Sequence, residues 1–396
     1  LCLVTVLTTA CGSSGTGDTA DTTEVGTQKL KVAFVIPGSI SDGAFGTLSY
    51  AGVQAVQEEP YIEEAVFVEG IDAATDASKA IRDYVAAGYD VVWAQSGLHS
   101  ASAMEIAPEF PENVFVTLAA TPEDQTFDNV WFAANECESA YYAAGALAAQ
   151  TTQSKVIGVV GGRENPLYVA CAAAYEEGAH SVDPDVKVLT VFTGDFNDPI
   201  KAKEAAASQI QSGADVIVHF QDLGMTGVIA AAEEALAAGN QVWVIGKGVD
   251  QYDQAPDVTL TSVIFDYGAA MKNVLTEIAN GVKSGEMPLS MANGAVYLSD
   301  CRGRVSEEVE AQIAALTEQL IAGEITYTTQ YDVEERACLI RYLQPSAASA
   351  PRTRRGLSGK PPAGTASARP GGRGARRRLH LAIRLQREAE SYEKHP

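Results

Sequence analysis

Aromatic, carboxylate and amide side chains recur in this chain directly after short apolar runs. Asp42 and Phe45 follow one such run, and Phe196 follows another. An aromatic face can stack on a planar heterocycle with about 1–3 kcal/mol per base, and carboxylate or amide oxygens accept hydrogen bonds from vicinal hydroxyls. Equivalent loops hold Ser96, Gly97, Gln221, Asp222, Asp250 and Gln251. These residue types suit noncovalent recognition of a small molecule.

The elements that must position these residues are apolar runs alternating with helix-like stretches. Residues 32–36 are typical of a strand buried on both faces, and a Pro- and Gly-containing loop and a helix from about residue 44 follow them. The same order recurs to residue 150 and restarts at residue 155. Repeated β-α order with short connections predicts doubly wound parallel sheets. We therefore predict an α/β protein with two parallel-sheet lobes, joined by a hinge.

The predicted elements place the polar loops at the carboxyl ends of strands. Further strands are predicted at residues 65–68, 90–94, 114–118, 130–133, 155–162, 186–193, 214–220, 241–246 and 258–264. Helices are predicted at residues 77–87, 101–107, 138–150, 167–179, 202–212, 226–238, 267–282 and 306–321. Open α/β sheets meet their ligands at this edge, and a cleft between two such lobes is the default ligand site.

Composition argues against several classes of function. Residues 1–329 carry a net charge of −31, whereas residues 330–396 carry +8. So acidic a body argues against nucleic acid as the main partner, because phosphate binding needs clustered cations. The five His residues are scattered and no Cys pair has ligand spacing, so we expect neither a metal nor a cofactor.

Catalysis is not expected either. The sequence has no nucleophile elbow, P-loop or zinc helix, and residues 158–162 lack the third glycine of a dinucleotide fingerprint. His99 and His219 lie near loop ends, but no Ser or Cys can be paired with them from sequence. We interpret both as structural residues or polar ligand contacts. Catalysis remains the less favoured alternative.

Several motifs occur together in a fixed order over roughly residues 30–325. They are Gly38-Ser-Ile-Ser-Asp42-Gly-Ala-Phe45-Gly, Pro108-Glu-Phe-Pro-Glu-Asn-Val-Phe-Val, Ile157-Gly-Val-Val-Gly-Gly, Thr193-Gly-Asp-Phe196-Asn-Asp198-Pro, Gly213-Ala-Asp-Val-Ile and Ile245-Gly-Lys-Gly-Val-Asp250-Gln251. Their order resembles that of a known family, the basic membrane protein family of substrate-binding lipoproteins. The resemblance implies a type I periplasmic-binding-protein fold and service to an ABC importer. Characterised members bind purine or other nucleosides.

The resemblance also suggests roles for individual residues. Phe45 lies where the family places a ring that stacks on the base, and Phe196 would supply an opposing ring. Asp42, Asp250 and Gln251 would contact the sugar or base edges. Each residue has a structural alternative: Phe45 packs on the core, Asp42 caps a helix, and Asp250 forms an Asx turn. Asp198, before Pro199, is interpreted as a helix-entry residue.

Four features differ from the nucleoside-binding pattern of the family. An acidic residue expected at the end of the first strand is replaced by Ile36-Pro37, and another after the fourth strand by Ala119-Ala120. A Lys expected after Thr261-Ser262 is absent, and the loop at residues 246–248 is shifted. These differences concern the ligand and leave the predicted fold and transport role unchanged.

The two ends of the sequence differ in character from its body. Residues 1–11 resemble a lipoprotein signal with Cys11 as the lipidated residue, and residues 12–29 resemble a flexible tether. Lobe 1 is predicted at 30–152 with 265–296, and lobe 2 at 153–264 with 297–329. Residues 330–396 are a basic, low-complexity tail of Pro, Gly, Ser, Ala and Arg, interpreted as an appended or out-of-frame segment, or as a functional arm.

The family resemblance, together with the signal-like residues 1–11, implies an extracytoplasmic, lipid-anchored solute-binding monomer. Its expected partners are a small-molecule ligand, with a nucleoside favoured, an ABC permease, and the membrane through the lipid on Cys11. The alternatives are a surface receptor that senses ligand without an importer and, less favoured, a nucleoside-processing enzyme. The disulfide state of Cys137, Cys171 and Cys301 is open, with Cys137–Cys171 as one possibility.

Overall fold

The computed structural model describes residues 29–41, 45–122, 125–330 and 332–333. Its strands are β1 Leu30–Val35, β2 Ile62–Val68, β3 Val91–Ala94, β4 Val114–Thr117, β5 Val130–Phe132, β6 Val156–Gly161, β7 Lys187–Phe192, β8 Val216–Phe220, β9 Trp243–Gly248, β10 Thr259–Phe265, β11 Gly285–Glu286 and β12 Val296–Leu298. Its α-helices are α1 Phe45–Gln57, α2 Ala74–Ala86, α3 Gly97–Ile106, α4 Glu138–Thr151, α5 Pro166–Val182, α6 Pro199–Gln211, α7 Met225–Ala237, α8 Tyr267–Ala279 and α9 Glu307–Ile321.

The chain divides into two units. The first runs to Asn135 and takes in Asp266–Leu289, and the second comprises Glu136–Phe265 and the chain from Ser290 on. Helix α4 therefore belongs to the second unit, whereas the sequence-based assignment carries lobe 1 through residue 152. Helices α8 and α9 lie in the first and second units respectively.

The first unit is built on a parallel sheet in the order β11-β5-β4-β3-β1-β2. Phe34 in β1 and Trp93 in β3 are fully buried, with ring centroids 5.9 Å apart. Burying one such side chain contributes about 1.5–3 kcal/mol, and strands covered on both faces need continuous apolar runs. The run at residues 32–36 is therefore a buried parallel strand, as predicted.

The second unit repeats the architecture with one difference. Its sheet has the order β12-β10-β9-β8-β6-β7, in which β12 runs antiparallel to β10 and the other pairs are parallel. Neither β12 nor the two-residue strand β11 was predicted. Strand β11 is a Gly-Glu pair with no apolar residue, and β12 has only three residues. The predicted α/β class with two parallel-dominated sheets is confirmed.

Helices α4 and α5 approach each other closely because of two glycines. A Cβ on Gly145 would lie 1.9 Å from the Tyr175 carbonyl oxygen, and a Cβ on Gly178 would lie 2.0 Å from that of Tyr142. The backbones can therefore touch only where these positions lack a side chain. Much of α4 is buried on all sides, including Ala140, Ala144 and Leu147.

Polar side chains begin several of these helices. The Asp198 carboxylate accepts hydrogen bonds from the Ile200 and Lys201 backbone N–H groups, both at 3.1 Å, with Pro199 as the first helical residue. Asp198 is thus the predicted helix-entry residue. Asp266 likewise caps α8 by accepting from Ala269 N at 2.9 Å. Within the described ranges, no helix combines the length and apolar character needed to cross a bilayer.

Candidate functional site

In the second unit, the loops after β7 and β8 bring Phe196 and Asp222 together. The backbone N–H groups of Asp222 and Gly224 both donate to the Phe196 carbonyl, at 2.9 and 3.0 Å. Gly162, just after β6, lies against the Phe196 ring, because a Cβ there would be 2.1 Å from a ring carbon. The carboxyl ends of β6, β7 and β8 therefore form one continuous edge, as a parallel sheet requires.

Lys247 adds a cation to this edge from the end of β9. Its Nζ lies 2.6 Å from Asp222 Oδ1, and the two side chains are only 9% and 20% exposed. The same ammonium lies 5.3 Å from the ring centroid of Tyr168 and 5.6 Å from that of Phe196, within range of cation–π attraction. We call Tyr168, Phe196, Asp222 and Lys247 the second-unit cluster.

The charges of the second-unit cluster are held in place by one another. Burial lowers the pKa of Lys247, but the Tyr168 hydroxyl and the Asp222 carboxylate outweigh it and raise this pKa above its usual value. Lys247 therefore stays charged at neutral pH. Burial also raises the pKa of the Tyr168 phenol to about 12, which keeps it protonated. The cluster thus offers an ion pair and a neutral hydroxyl.

Aromatic packing fixes the orientation of the Tyr168 ring. It stacks on Phe220 with centroids 5.3 Å apart and planes 17° apart, and it meets Phe196 at 5.6 Å and 60°. The Tyr168 backbone N–H donates to the Asn165 side chain at 3.0 Å, which caps α5. A planar ligand group meeting this edge would find aromatic surface beside polar atoms, which is suited to heterocycles and sugars.

Gln221 and Gln251, two of the predicted contact residues, are buried. Gln221 Nε2 donates to the Gly161 carbonyl at 2.7 Å. Gln251 is 0% exposed; its Oε1 lies 2.9 Å from His219 Nε2, and its Nε2 contacts Met225 Sδ at 3.1 Å and the Lys247 carbonyl at 3.3 Å. Burial lowers the pKa of His219 to about 4, so this imidazole is neutral at pH 7. These hydrogen bonds join residues of β6, β8 and β9 close to Asp222 and Lys247.

Asp250 has partners outside these hydrogen bonds. Its carboxylate forms an ion pair with Arg302, whose guanidinium lies 4.2 Å from the Tyr252 ring centroid. The other Asp250 oxygen accepts from the Tyr252 backbone N–H at 3.1 Å, which is the Asx-turn alternative of the sequence analysis. Among the described contacts, the structure brings Phe196 and Asp222 together, but it joins Asp250 to Arg302.

In the first unit, Ser96 and Gly97 begin α3 after β3. The Ser96 hydroxyl accepts from the Leu98 backbone N–H at 3.1 Å, so it caps the helix. A Cβ on Gly97 would meet only the Leu118 carbonyl, at 3.9 Å. His99, in the first turn of α3, is fully buried and its Nε2 lies 2.7 Å from the Ile71 carbonyl. This contact fits a structural His.

Phe45 is the first residue of α1 and is half-buried. Its ring packs edge-to-face on Tyr267 of α8, with centroids 5.6 Å apart. Ser49 connects this helix to β3, because its hydroxyl donates to the Phe45 carbonyl at 2.8 Å and accepts from Gln95 Nε2 at 3.2 Å. The predicted residues Asp42 and Cys11 lie outside the described residues.

A surface cavity of about 540 Å³ lies elsewhere in the second unit. Helix α9 and the chain around β12 line it, with Tyr297, Cys301, Ile313 and Thr317 among its walls. None of the predicted site residues that the structure describes lines this cavity. In the described part of the chain, no group of three His, Cys, Asp or Glu side chains is placed to hold a metal ion.

Sequence reasoning missed Tyr168 and Lys247. A cation flanked by two glycines at the end of a buried apolar run was the available signal for Lys247. Tyr168 gave no such signal, because an aromatic residue in the first turn of a helix is equally typical of a core contact. In the sheet register, Lys247 on β9 lies opposite Val263 on β10. Residue 263 is the position after Thr261-Ser262 at which the sequence analysis expected a Lys. The ammonium group of Lys247 is therefore close to that position, on the neighbouring strand.

Comparison with known proteins relates most of the chain to one family. The family described as ABC transporter substrate-binding protein, PnrA-like, matches residues 29–330. Basic membrane protein A of Borreliella burgdorferi is 26% identical over 322 residues, which cover 79% of this chain and 91% of that protein. The ABC transporter nucleoside-binding protein BmpA of Lactococcus lactis is 27% identical over 320 residues, which cover 75% and 88%.

Solved structures agree on the fold. An ABC transporter solute-binding protein from Aeropyrum pernix gives a TM-score of 0.67 at 20% identity, covering 79% of this chain and 97% of that chain. Another from Conexibacter woesei gives 0.64 at 24% identity, covering 76% and 99%. These solute-binding proteins share the type I periplasmic fold with this chain. The family match, to substrate-binding proteins of ABC transporters, agrees with the expected non-enzymatic class. The chain belongs to the family of PnrA-like ABC transporter substrate-binding proteins.

Proposed function

We propose that this chain is the extracytoplasmic solute-binding lipoprotein of an ABC importer and that its ligand is a nucleoside. The second-unit cluster carries the proposal. Phe196 and Tyr168 offer aromatic surface to a base, while Asp222 and Lys247 offer an acceptor and a donor to its edges or to sugar hydroxyls. The relative from Lactococcus lactis, named as nucleoside-binding, supports this choice of ligand.

Capture in the predicted inter-lobe cleft would be the working mechanism. A ligand favours a closed state only through contacts that it lacks in the open state, so both lobes have to contribute residues. On the second unit these are Phe196, Asp222 and Lys247. On the first unit they are Phe45 and the Ser96-Gly97 turn, together with Asp42. No chemical change of the ligand is involved.

Calorimetric titration of the full chain tests the ligand assignment. Adenosine, guanosine, inosine and uridine are compared with ribose, free bases and amino acids. We expect a nucleoside to bind most tightly, and loss of one stacking ring in Phe196→Ala or Phe45→Ala to weaken it about 5- to 150-fold. Tyr50→Ala is the control, because it also removes a ring contact in the first unit, with Phe67 at 5.0 Å.

The outcomes separate the parts of the proposal. Binding of sugars or amino acids alone would remove the nucleoside and leave the solute-binding role. If Phe45→Ala and Tyr50→Ala lost the same amount of nucleoside affinity, the loss in Phe45→Ala would reflect a less stable first unit and not a missing ligand contact. Binding that is unaffected by Phe196→Ala, Asp222→Asn and Lys247→Met would exclude the second-unit cluster from the site.

The membrane anchor has a separate test. Cells expressing the chain are fractionated and labelled with a radioactive fatty acid. We expect label in the membrane-associated wild type and neither label nor membrane association in Cys11→Ala, because the residue would carry the lipid. Cys2→Ala is the matched control. Equal fractionation of wild type and Cys11→Ala would contradict the anchor without affecting the ligand assignment.

A further inference from the structure

Two buried cysteines of the second unit lie next to each other. Cys137 is the N-cap of α4, and Cys171 lies within α5. Their Sγ atoms are 3.4 Å apart, and the residues are 1% and 0% exposed. Glu136, immediately before Cys137, is the first residue of the second unit. The pair therefore lies where the chain enters that unit.

We propose that Cys137 and Cys171 form a disulfide bond in the mature protein. A disulfide has an S–S length of 2.03–2.05 Å, so the two sulfurs have to approach by only about 1.4 Å. The contacts of Gly145 with Tyr175 and of Gly178 with Tyr142 already hold the two helices together. Small rotations about the side-chain bonds would bring the sulfurs closer.

The chemistry is thiol–disulfide exchange with a disulfide-containing oxidant. The thiolate of one cysteine attacks the oxidant, forms a mixed disulfide and releases one thiolate, which takes up a proton. The second cysteine loses its proton and attacks its partner's sulfur in the mixed disulfide, which releases the second thiol. The protein loses two hydrogens, and one oxidant disulfide becomes two thiols. Such oxidants operate outside the cytoplasm, the location given by the proposed function.

Burial determines when this exchange can occur. Burial and the hydrogen bond with Cys137 raise the pKa of the Cys171 thiol, so a folded reduced pair has little reactive thiolate. The bond would therefore form while the unit is folding or locally open. Once formed, the burial of both cysteines protects it from reductants. Cys301 differs from the pair, since it is only partly buried and lines the cavity beside α9.

Mass spectrometry of the full chain, secreted by a bacterial host and purified without reductant, tests the bond. The protein is unfolded in guanidinium with iodoacetamide, before or after reduction, and digested. We expect Cys301 to be alkylated in both samples, and Cys137 and Cys171 only after reduction, with a linked peptide two hydrogens lighter than the two free peptides. Alkylation of Cys137 and Cys171 without reduction, or a bridge that includes Cys301, would overturn the proposal.

A second measurement is independent of export and of any ligand. Reduced, unfolded protein is refolded with oxidised glutathione, and its thermal midpoint is compared with that of Cys137→Ala/Cys171→Ala. We expect the wild type to unfold about 5–15 °C higher, and the difference to shrink when both are refolded with reductant. Cys301→Ala, refolded in the same way, is the control and should keep the oxidised wild-type midpoint. If the difference in thermal midpoint between the wild type and the double variant were the same with oxidant as with reductant, the double variant would have lost only packing contacts, and the disulfide would be contradicted.

Discussion

The Glu138 carboxylate at the start of α4 accepts a hydrogen bond from the Gln330 backbone N–H at 2.9 Å. A second carboxylate, Glu177 of α5, accepts from the Thr328 backbone and hydroxyl at 2.9 and 2.7 Å. Between α9 and these contacts, Tyr327 packs its ring 6.2 Å from that of Tyr142. Residues 324–330, here called the C-terminal strap, are thus fastened to the helix pair by two carboxylates.

The strap predicts a dependence of stability on pH. Burial, the largest cause, raises the pKa of Glu138 from 4.5 to about 7, and the nearby carboxylates of Glu136 and Asp332 act in the same direction. The folded state therefore binds this proton more tightly than the unfolded state. The contribution of Glu138 is most favourable below pH 4.5 and declines as the pH rises to about 7. We expect the free energy of unfolding to lose about 3 kcal/mol from this residue across that range.

Urea denaturation at several pH values from 5 to 8 measures this effect. Glu138→Gln keeps an acceptor for the Gln330 N–H but cannot ionise, so we expect its stability to exceed that of the wild type at pH 8 and to vary less with pH. Glu233→Gln, at an exposed position of α7, is the control and should retain the wild-type pH profile. If the stability of Glu138→Gln depended on pH in the same way as that of the wild type, Glu138 would not be the group responsible for the pH dependence.

The buried ion pair of Asp222 and Lys247 should be strongly coupled. Removing one charge leaves the other in a poorly solvated position, so we expect Lys247→Met to cost about 2–4 kcal/mol of unfolding free energy. The double variant Lys247→Met/Asp222→Asn should lose less than the sum of the single losses, with a coupling of about 1–3 kcal/mol. Denaturation of the four proteins of the cycle gives this quantity.

The pair Lys203–Glu234 provides a matched control for this cycle. Its N–O distance is also 2.6 Å, but the side chains are 40% and 66% exposed. Solvent screening should hold its coupling to about 0.2–1 kcal/mol. Equal coupling in the two cycles would contradict the argument that burial makes the Asp222–Lys247 pair different.

The glycines between α4 and α5 predict a reversal of ordinary helix propensity. Alanine normally stabilises a helix interior by up to about 1 kcal/mol relative to glycine. At Gly145 and Gly178 the added Cβ would clash with a backbone carbonyl that cannot move independently. We expect each Gly→Ala change to destabilise the protein by about 2–4 kcal/mol in urea denaturation, and exposed Glu176→Ala on α5 to stay within about 0.5 kcal/mol. A stabilising Gly145→Ala would disprove the close approach.

These glycines also show what the sequence could not predict. Alternating apolar runs and helices were enough to identify β1 to β10 from local patterns, but not β11 or β12. The unit to which α4 belongs had no local signal, because an Ala-rich helix buried on all sides has no polar face to orient it. Contact with α5, through Gly145 and Gly178, places α4 in the second unit.

The candidate site was predictable to a similar extent. Loops after strands identified Phe196 and Asp222, because the carboxyl edge of a parallel sheet is defined by topology alone. Loop position did not distinguish a side chain facing that edge from one beneath it. Gln251, which lies in the loop after β9, is fully buried on His219 and Met225. Lys247, within the strand itself, reaches Asp222.

The turn at Ser96-Gly97 allows stability and ligand binding to be tested separately. Ser96→Ala removes the cap of α3, so we expect a loss of about 0.5–2 kcal/mol in unfolding free energy. Gly97→Ala adds a methyl group with space around it, since its nearest neighbour would be the Leu118 carbonyl at 3.9 Å, so stability should change by less than about 0.5 kcal/mol.

If a ligand approaches the Gly97 backbone, as the proposed site requires, the same methyl group should weaken nucleoside binding at least about tenfold, equivalent to about 1.4 kcal/mol. Calorimetry and urea denaturation on the same samples give both quantities. A Gly97→Ala protein with unchanged stability and unchanged affinity would remove this turn from the ligand site.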